Sequence, residues 1–152
     1  MSRIALLATA AVGLALFGAA PATAAHAPTT TATTATTVTC GPSALRVGLS
    51  TKVCAEVTGN SVQLYGQINL AGPPSPGSTL PVKDLTTTLT GNAVGGTSLG
   101  HLVQPVRFQA ATTQVRGVGG TVPCGSPVHA EFTPSALGYP SSPVTLDVPV
   151  TC

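Results

Sequence analysis

The chain has 152 residues, of which 43% are hydrophobic, 3% aromatic and 7% charged, with six Lys and Arg against four Asp and Glu for a formal charge of +2. Soluble domains ordinarily carry ~25% charged residues. Here there is neither the basic stripe that nucleic acid or an anionic membrane requires nor an acidic block, and solubility must rest on Thr, Ser, Gln and Asn.

Residues 1–24 read as a secretory signal peptide. Arg3 supplies the positive n-region, 4–17 form an apolar h-region, and Ala22-Thr23-Ala24 matches the A-x-A cleavage pattern, so cleavage is expected after Ala24. The apolar run is shorter than the ~20 residues that cross a bilayer, and no second such run follows. Without Arg3 the mature chain keeps five basic residues against four acidic ones. It is expected to be secreted, with no membrane span. The bias toward Ala, Gly, Thr and Pro resembles that of secreted proteins from high-GC actinobacteria, in composition alone.

Residues 25–39 are almost all Thr or Ala from position 28 onward. Such a stretch buries too little apolar surface to offset the entropy of ordering it. It reads as a flexible tether, of a composition shared by O-glycosylated stalks and plain floppy termini. The folded domain is expected to span 40–152. Its first strands are 37–40 and 51–57, joined by a loop with Gly41-Pro42 and Gly48, and Thr58-Gly59-Asn60 is a turn. In 61–70, Val62, Leu64, Ile68 and Leu70 fall on one face, with Gln63, Tyr65, Gln67 and Asn69 on the other, so one face is buried and one wet.

Residues 71–81 hold Pro73, Pro74, Pro76 and Pro81 and read as a long, stiff surface loop. A strand at 85–90 and a Gly-rich connection at 91–100 come next. Strands at 101–109 and 112–118 place Leu102, Val106, Phe108, Thr113 and Val115 inward, and Arg107, Gln109, Gln114 and Arg116 outward. Gly119-Gly120 breaks the pattern, and 128–133 and 144–151 close the domain, with Pro149 marking an edge strand or a bulge. No stretch has helical periodicity with caps. The prediction is all-β: a single immunoglobulin-like β-sandwich of about seven to nine short strands, with a small β-barrel as the alternative. Val38-x-Cys40-Gly41 is echoed at Val122-x-Cys124-Gly125, and Pro-Ser-Ala-Leu occurs at both Pro42 and Pro134.

A core of Val, Leu and Ala with no Trp buries less area than one with large rings, and exported domains of this size often add disulfides. Cys40, Cys54, Cys124 and Cys152 allow three connectivities. The sequential pairing, Cys40 with Cys54 and Cys124 with Cys152, is favoured. Cys124 and Cys152 share parity with Val128, Ala130, Val148 and Val150, which points both inward. Cys54 alternates with Lys52 and Glu56, which points it outward. The alternative joins Cys54 to Cys124 across two sheets, as in immunoglobulin-like folds. No Cys-x-x-Cys or His cluster flanks these cysteines, so neither a metal nor any cofactor is expected.

Gly96-Thr97-Ser98-Leu99-Gly100 matches the G-x-S-x-G nucleophile pattern and His101 follows it, but that chemistry needs a strand, an elbow and a helix. A Gly-rich loop supplies none of these. Of the acids Glu56, Asp84, Glu131 and Asp147, only Glu131 and Asp147 are expected to approach each other, and no sugar-stacking aromatic lies near them. His26, His101 and His129 are widely spaced. The protein is therefore expected not to be an enzyme.

Two surfaces are candidates for binding. The row Gln63, Tyr65, Gln67 and Asn69 offers directional hydrogen bonds around one ring, suited to a cell-wall glycan or an extended peptide. The Pro-stiffened loop at 71–84 offers Leu80 or Lys83 to a specificity pocket at low entropic cost. In size and cysteine count the chain resembles small secreted actinobacterial inhibitors of proteases or amylases. The two-disulfide apoproteins of enediyne chromoproteins, which have an immunoglobulin-like sandwich, are similar in kind but place their cysteines differently. The reading is a secreted, non-enzymatic binding module acting at the cell envelope or in the medium, its partner a cell-wall glycan or an extracellular protein and not nucleic acid. The alternative is an extracellular inhibitor of a secreted hydrolase.

Overall fold

Alternation of apolar and polar side chains generates nine strands and no helix among the residues described by the computed structural model, 35–79 and 82–152. In chain order they are β1 (Thr36–Cys40), β2 (Ala44–Arg46), β3 (Leu49–Thr58), β4 (Ser61–Leu70), β5 (Val82–Ala93), β6 (Ser98–Gln109), β7 (Thr113–Thr121), β8 (Pro127–Ser135) and β9 (Val144–Pro149). They form two antiparallel sheets, ordered β1-β3-β4-β7, with β2 also against β3, and β6-β5-β8-β9. The chain crosses between sheets after β4, β6 and β7. No barrel closes, and the predicted sandwich is the architecture found.

Between the sheets lies an aliphatic core in which Phe108 and Phe132 are the largest fully buried side chains. Each such side chain gains ~1.5–3 kcal/mol from leaving water. Thr51 and Thr87 are the buried polar residues, and Thr87 Oγ1 donates to the Gln104 carbonyl at 3.0 Å, which removes the penalty of an unpaired hydroxyl.

Three segments depart from the sequence reading for local reasons. The expected loop between the first strands contains β2, which turns into β3 through Val47 and Gly48, with φ of 47° and 77°. Two positive φ values in a two-residue hairpin turn are those of type I′. A β-branched residue at its first position is unusual, and the Val47 carbonyl accepts a hydrogen bond from Lys83 Nζ at 2.6 Å. The predicted connection at 91–100 is mostly strand, because β5 runs to Ala93 and β6 starts at Ser98, with a register shift at Gly91/Asn92. Gly91 serves packing rather than turning, since a Cβ there would stand 2.3 Å from Leu64 Cδ1. Likewise β7 continues through Gly119 and Gly120. At the other extreme of the domain β1 begins at Thr36, so the last residues of the predicted tether lie on a ladder with β3. The predicted signal peptide lies outside the described residues.

Both sequential disulfides are present. Cys40 stands directly opposite Cys54, Cα to Cα 4.0 Å, and staples the outermost strand β1 to β3. The second ties the β7–β8 connection to the chain beyond β9. Their burial reverses the expectation. Cys54 does lie on the outer face of β3, yet it is fully buried beneath its bridge partner and next to Tyr65, its ladder neighbour on β4. Cys124 and Cys152 are exposed, because both lie past the ends of their strands, where alternation no longer sets direction.

The outermost strands are interrupted. Gly41 to Ser43 separate β1 from β2, β7 has a register shift opposite Leu64/Tyr65, Pro105 sits inside β6, and Pro149 ends β9. Proline costs no ladder bond on an edge strand, as anticipated for Pro149.

Candidate functional site

The pieces of chemistry marked in the sequence fall in separate places. Ser98 and His101 are both exposed at the start of β6, inside an antiparallel hairpin, and no hydrogen bond joins them. The strand–elbow–helix that would activate a serine is absent there.

Glu131 and Asp147 do converge, but on His129. Its Nδ1 is 2.7 Å from Asp147 Oδ1 and its Nε2 is 3.3 Å from Glu131 Oε1. Hydrogen bonding to Asp147, and then to Glu131, raises the His129 pKa above its ordinary value. Only imidazolium can donate from both nitrogens. With one carboxylate on each ring nitrogen, no nitrogen is left to accept a proton or ligate a metal, and the trio is a clasp between β8 and β9. Among the described residues no group of three or more His, Cys, Asp or Glu is placed to hold a metal ion. Histidine's part was missed in the sequence, although its shared parity with Glu131 was a usable sign.

Gln63, Tyr65, Gln67 and Asn69 share the outer face of β4 as expected, but Tyr65 is only 6% exposed. The register brings Arg116 of β7 beside it, with the guanidinium carbon 4.2 Å from the ring centroid. Arg116 donates to both Glu56 carboxylate oxygens, at 3.0 and 2.8 Å, and through Nε to Gln114 Oε1 at 3.0 Å. The Arg116 hydrogen bond holds the Glu56 carboxyl below its usual value, and the same bond raises Arg116. Asn69 Oδ1 accepts from Thr112 Oγ1 at 2.6 Å. The ring that was to meet a sugar is thus covered by the protein's own cation, and Asn69 is engaged by Thr112.

Lys83 was assigned to the Pro-rich loop but lies within β5, its ammonium occupied by the Val47 carbonyl. Leu80 lies outside the described residues. Residues 71–79 form an exposed surface loop, as anticipated.

A different loop, 136–143, gathers features that the sequence reading passed over. Ala136 to Tyr139 form a turn closed by a 2.9 Å bond from Tyr139 N–H to the Ala136 carbonyl, with Gly138 at φ 77°, the third position of a type II turn. The turn presents Leu137, 99% exposed, and Tyr139, 72% exposed. Its return limb is braced. Ser141 Oγ donates to the Pro134 carbonyl, and Arg46 of β2 donates to the carbonyls of Ser142 (Nε, 2.7 Å) and Pro143 (Nη2, 3.3 Å). On either side lies a hollow. One of about 430 Å³ is lined by Val47, Lys83, Asp84, Ala136 and Tyr139. The other, about 420 Å³, runs from Asp84 and Pro105 to Leu137 and Gly138. The sign available in the sequence was Leu-Gly-Tyr-Pro at 137–140, two large apolar residues in a turn where polar ones are usual.

No family model, curated protein or solved structure matches the chain.

Proposed function

We propose that this protein is a secreted, non-enzymatic binding module that recognises another extracellular protein through the loop end of its sandwich. The observation that carries this reading is the outward display of Leu137 and Tyr139 on a braced turn between two hollows. A leucine left in water forgoes ~1.5–3 kcal/mol of burial, which a partner that covers it can recover. Two disulfides accord with export to an oxidising place. Two packed sheets with loops gathered at their ends are also the architecture of immunoglobulin-like modules, though an immunoglobulin constant domain orders its strands A-B-E-D and C-F-G, unlike this one. Fold alone assigns no ligand, so the weight rests on the loop.

A second reading, a cell-wall glycan, draws on Tyr139 alone, since an exposed ring can stack on a sugar. One experiment separates the two. The disulfide-bonded protein is immobilised and offered the secreted proteins of the producing organism, and in parallel it is mixed with insoluble peptidoglycan, chitin and cellulose. A protein partner should be held by the wild type and lost with Leu137→Asp. Retention on a glycan that survives Leu137→Asp and disappears with Tyr139→Ala would favour the second reading. Equal behaviour of the wild type and both variants would remove this surface.

A further inference from the structure

We propose that, independently of the 136–143 loop, the protein pairs with a second copy of itself along the free edge of β1, antiparallel and centred on Val38. In an antiparallel ladder alternate residues bond to the neighbouring strand and the rest point away from it. The Gly41 N–H donates to the Val53 carbonyl at 2.9 Å, and the register sets Thr39 opposite Ala55 and Thr37 opposite Val57. Gly41, Thr39 and Thr37 therefore spend their backbone groups on β3. Thr36, Val38 and Cys40 aim theirs outward, and all three residues are exposed.

That outward set is its own complement. With a two-fold axis at Val38, a second β1 brings Val38 to Val38 and Thr36 to Cys40, each pair exchanging two backbone bonds. No outward donor or acceptor of the strand is left over. The side chains agree with the same register. Val38, 54% exposed, meets its own copy on the outer face, and Thr37 stands across from Thr39 on the inner face. Such β-branched and Thr–Thr pairs stabilise antiparallel strands. Residues 28–40 carry no charge, so like meets like without repulsion. Along the inner side of the edge, a hollow of about 210 Å³ lined by Thr37, Thr39, Val57, Val148 and Pro149 leaves room for the second copy's threonines.

The other outer strands described are unsuited to this. Pro105 interrupts β6, Asp147 and Pro149 lie in β9, β7 shifts register opposite Leu64/Tyr65, and β2 is short and carries Arg46. The Cys40–Cys54 bridge already holds β1 on its sheet, so pairing orders little new chain. A two-fold pair uses up this edge on both copies, and the assembly closes at two.

The test follows the mass of the intact, disulfide-bonded protein by light scattering from ~1 μM to ~1 mM, the span suited to a small interface, with amide exchange measured by NMR over the same series. Mass should rise from one copy to two and stop there. Exchange should slow with concentration at Val38 and Cys40 and stay constant at Thr37 and Thr39, which are bonded to β3 in either state. Val38→Pro deletes an outward N–H and no bond of the β1–β3 ladder. Because the axis makes each loss count twice, it should raise the dimer dissociation constant by ~10-fold or more. Val38→Lys sets like charges face to face and should do the same, while Val38→Thr keeps the dimer. Melting at ~1 μM, where single copies prevail, should stay close to that of the wild type in all three. A single copy throughout the range overturns the proposal, as does growth past two or a dimer unmoved by both Val38→Pro and Val38→Lys. Slow exchange at Val38 that is independent of concentration also overturns it, because the edge is then covered from within the chain.

Discussion

The two tyrosines of this chain have opposite fates. Tyr65, on the outer face of the β1-β3-β4-β7 sheet, is 6% exposed, while Tyr139, at the loop end, is 72% exposed. Around Tyr65 the side chains satisfy one another: Arg116 covers the ring and is held by Glu56 and Gln114. Around Tyr139 the acceptors are all main-chain carbonyls, met by the Tyr139 N–H, Ser141 Oγ and Arg46, which leaves the large side chains free. A protein with so few charges uses one of its ion pairs to close a flat face. At the loop, side-chain donors from Ser141 and Arg46 are spent on main-chain carbonyls, and Leu137 and Tyr139 stay uncovered.

The strongest test of this contrast removes what both regions share. Phe132 is fully buried in β8, the strand that leads into the loop. Phe132→Ala should cost ~3–5 kcal/mol in denaturant unfolding, and a loss below ~1 kcal/mol would mean the two regions do not rest on one core. Next come the bridges, each contributing ~2–4 kcal/mol. Paired Cys40→Ser and Cys54→Ser should lower stability and also change Tyr65 fluorescence, since Cys54 is its ladder neighbour. Paired Cys124→Ser and Cys152→Ser should lower stability and leave the emission of both tyrosines as it was.

Arg116→Ala sharpens the comparison without dismantling the fold. There is no Trp, so tyrosine emission reports on two residues only. Acrylamide should quench one class of tyrosine in the wild type and two in the variant, with a small fall in melting temperature. An unchanged quenching curve would show that Arg116 does not shield the ring.

The smallest effect is on pH. His129 has a folded pKa raised above 6.5 by Asp147 and Glu131. Its contribution is complete below about pH 6.5 and is lost as pH rises through the folded value. Glu56 has a folded pKa lowered from 4.5 by Arg116, so its contribution is present above that pH and is lost as pH falls through the folded value. Melting temperature should fall gently on both sides, with His129→Gln removing the alkaline limb and Glu56→Gln the acidic one. Solvent screening keeps both limbs shallow, because the His129 and Glu56 side chains are 36% and 29% exposed.

What could be read from the sequence follows a physical rule: alternation reports which face a residue occupies and nothing about what lies over that face. The strict pattern of 61–70 defined β4 to the residue, and the sequential disulfide pairing is the one found, although the inward parity read for Cys124 and Cys152 is not. Cover over Tyr65 needed the register between β4 and β7, whose residues 65 and 116 are far apart in the chain. Burial of Cys54 needed the same kind of knowledge for β1 and β3. Turns hid more. Val47 occupies a conformation its side chain disfavours, so β2 passed for loop, and Gly91 stands in a strand because Leu64 needs the space. The 136–143 loop went unmarked because turn chemistry predicts that it bends, not that Leu137 is left uncovered at the bend.

The breaks in the outermost strands carry one more consequence. An unpaired β-edge is a template on which another chain can polymerise, and many proteins repel such additions with charge. At 7% charged residues this one has little charge to spend. The proline in β6, the irregular register of β7, the gap between β1 and β2 and the proline that ends β9 take over that task. They shorten the stretches of unpaired backbone on which a fibril could begin.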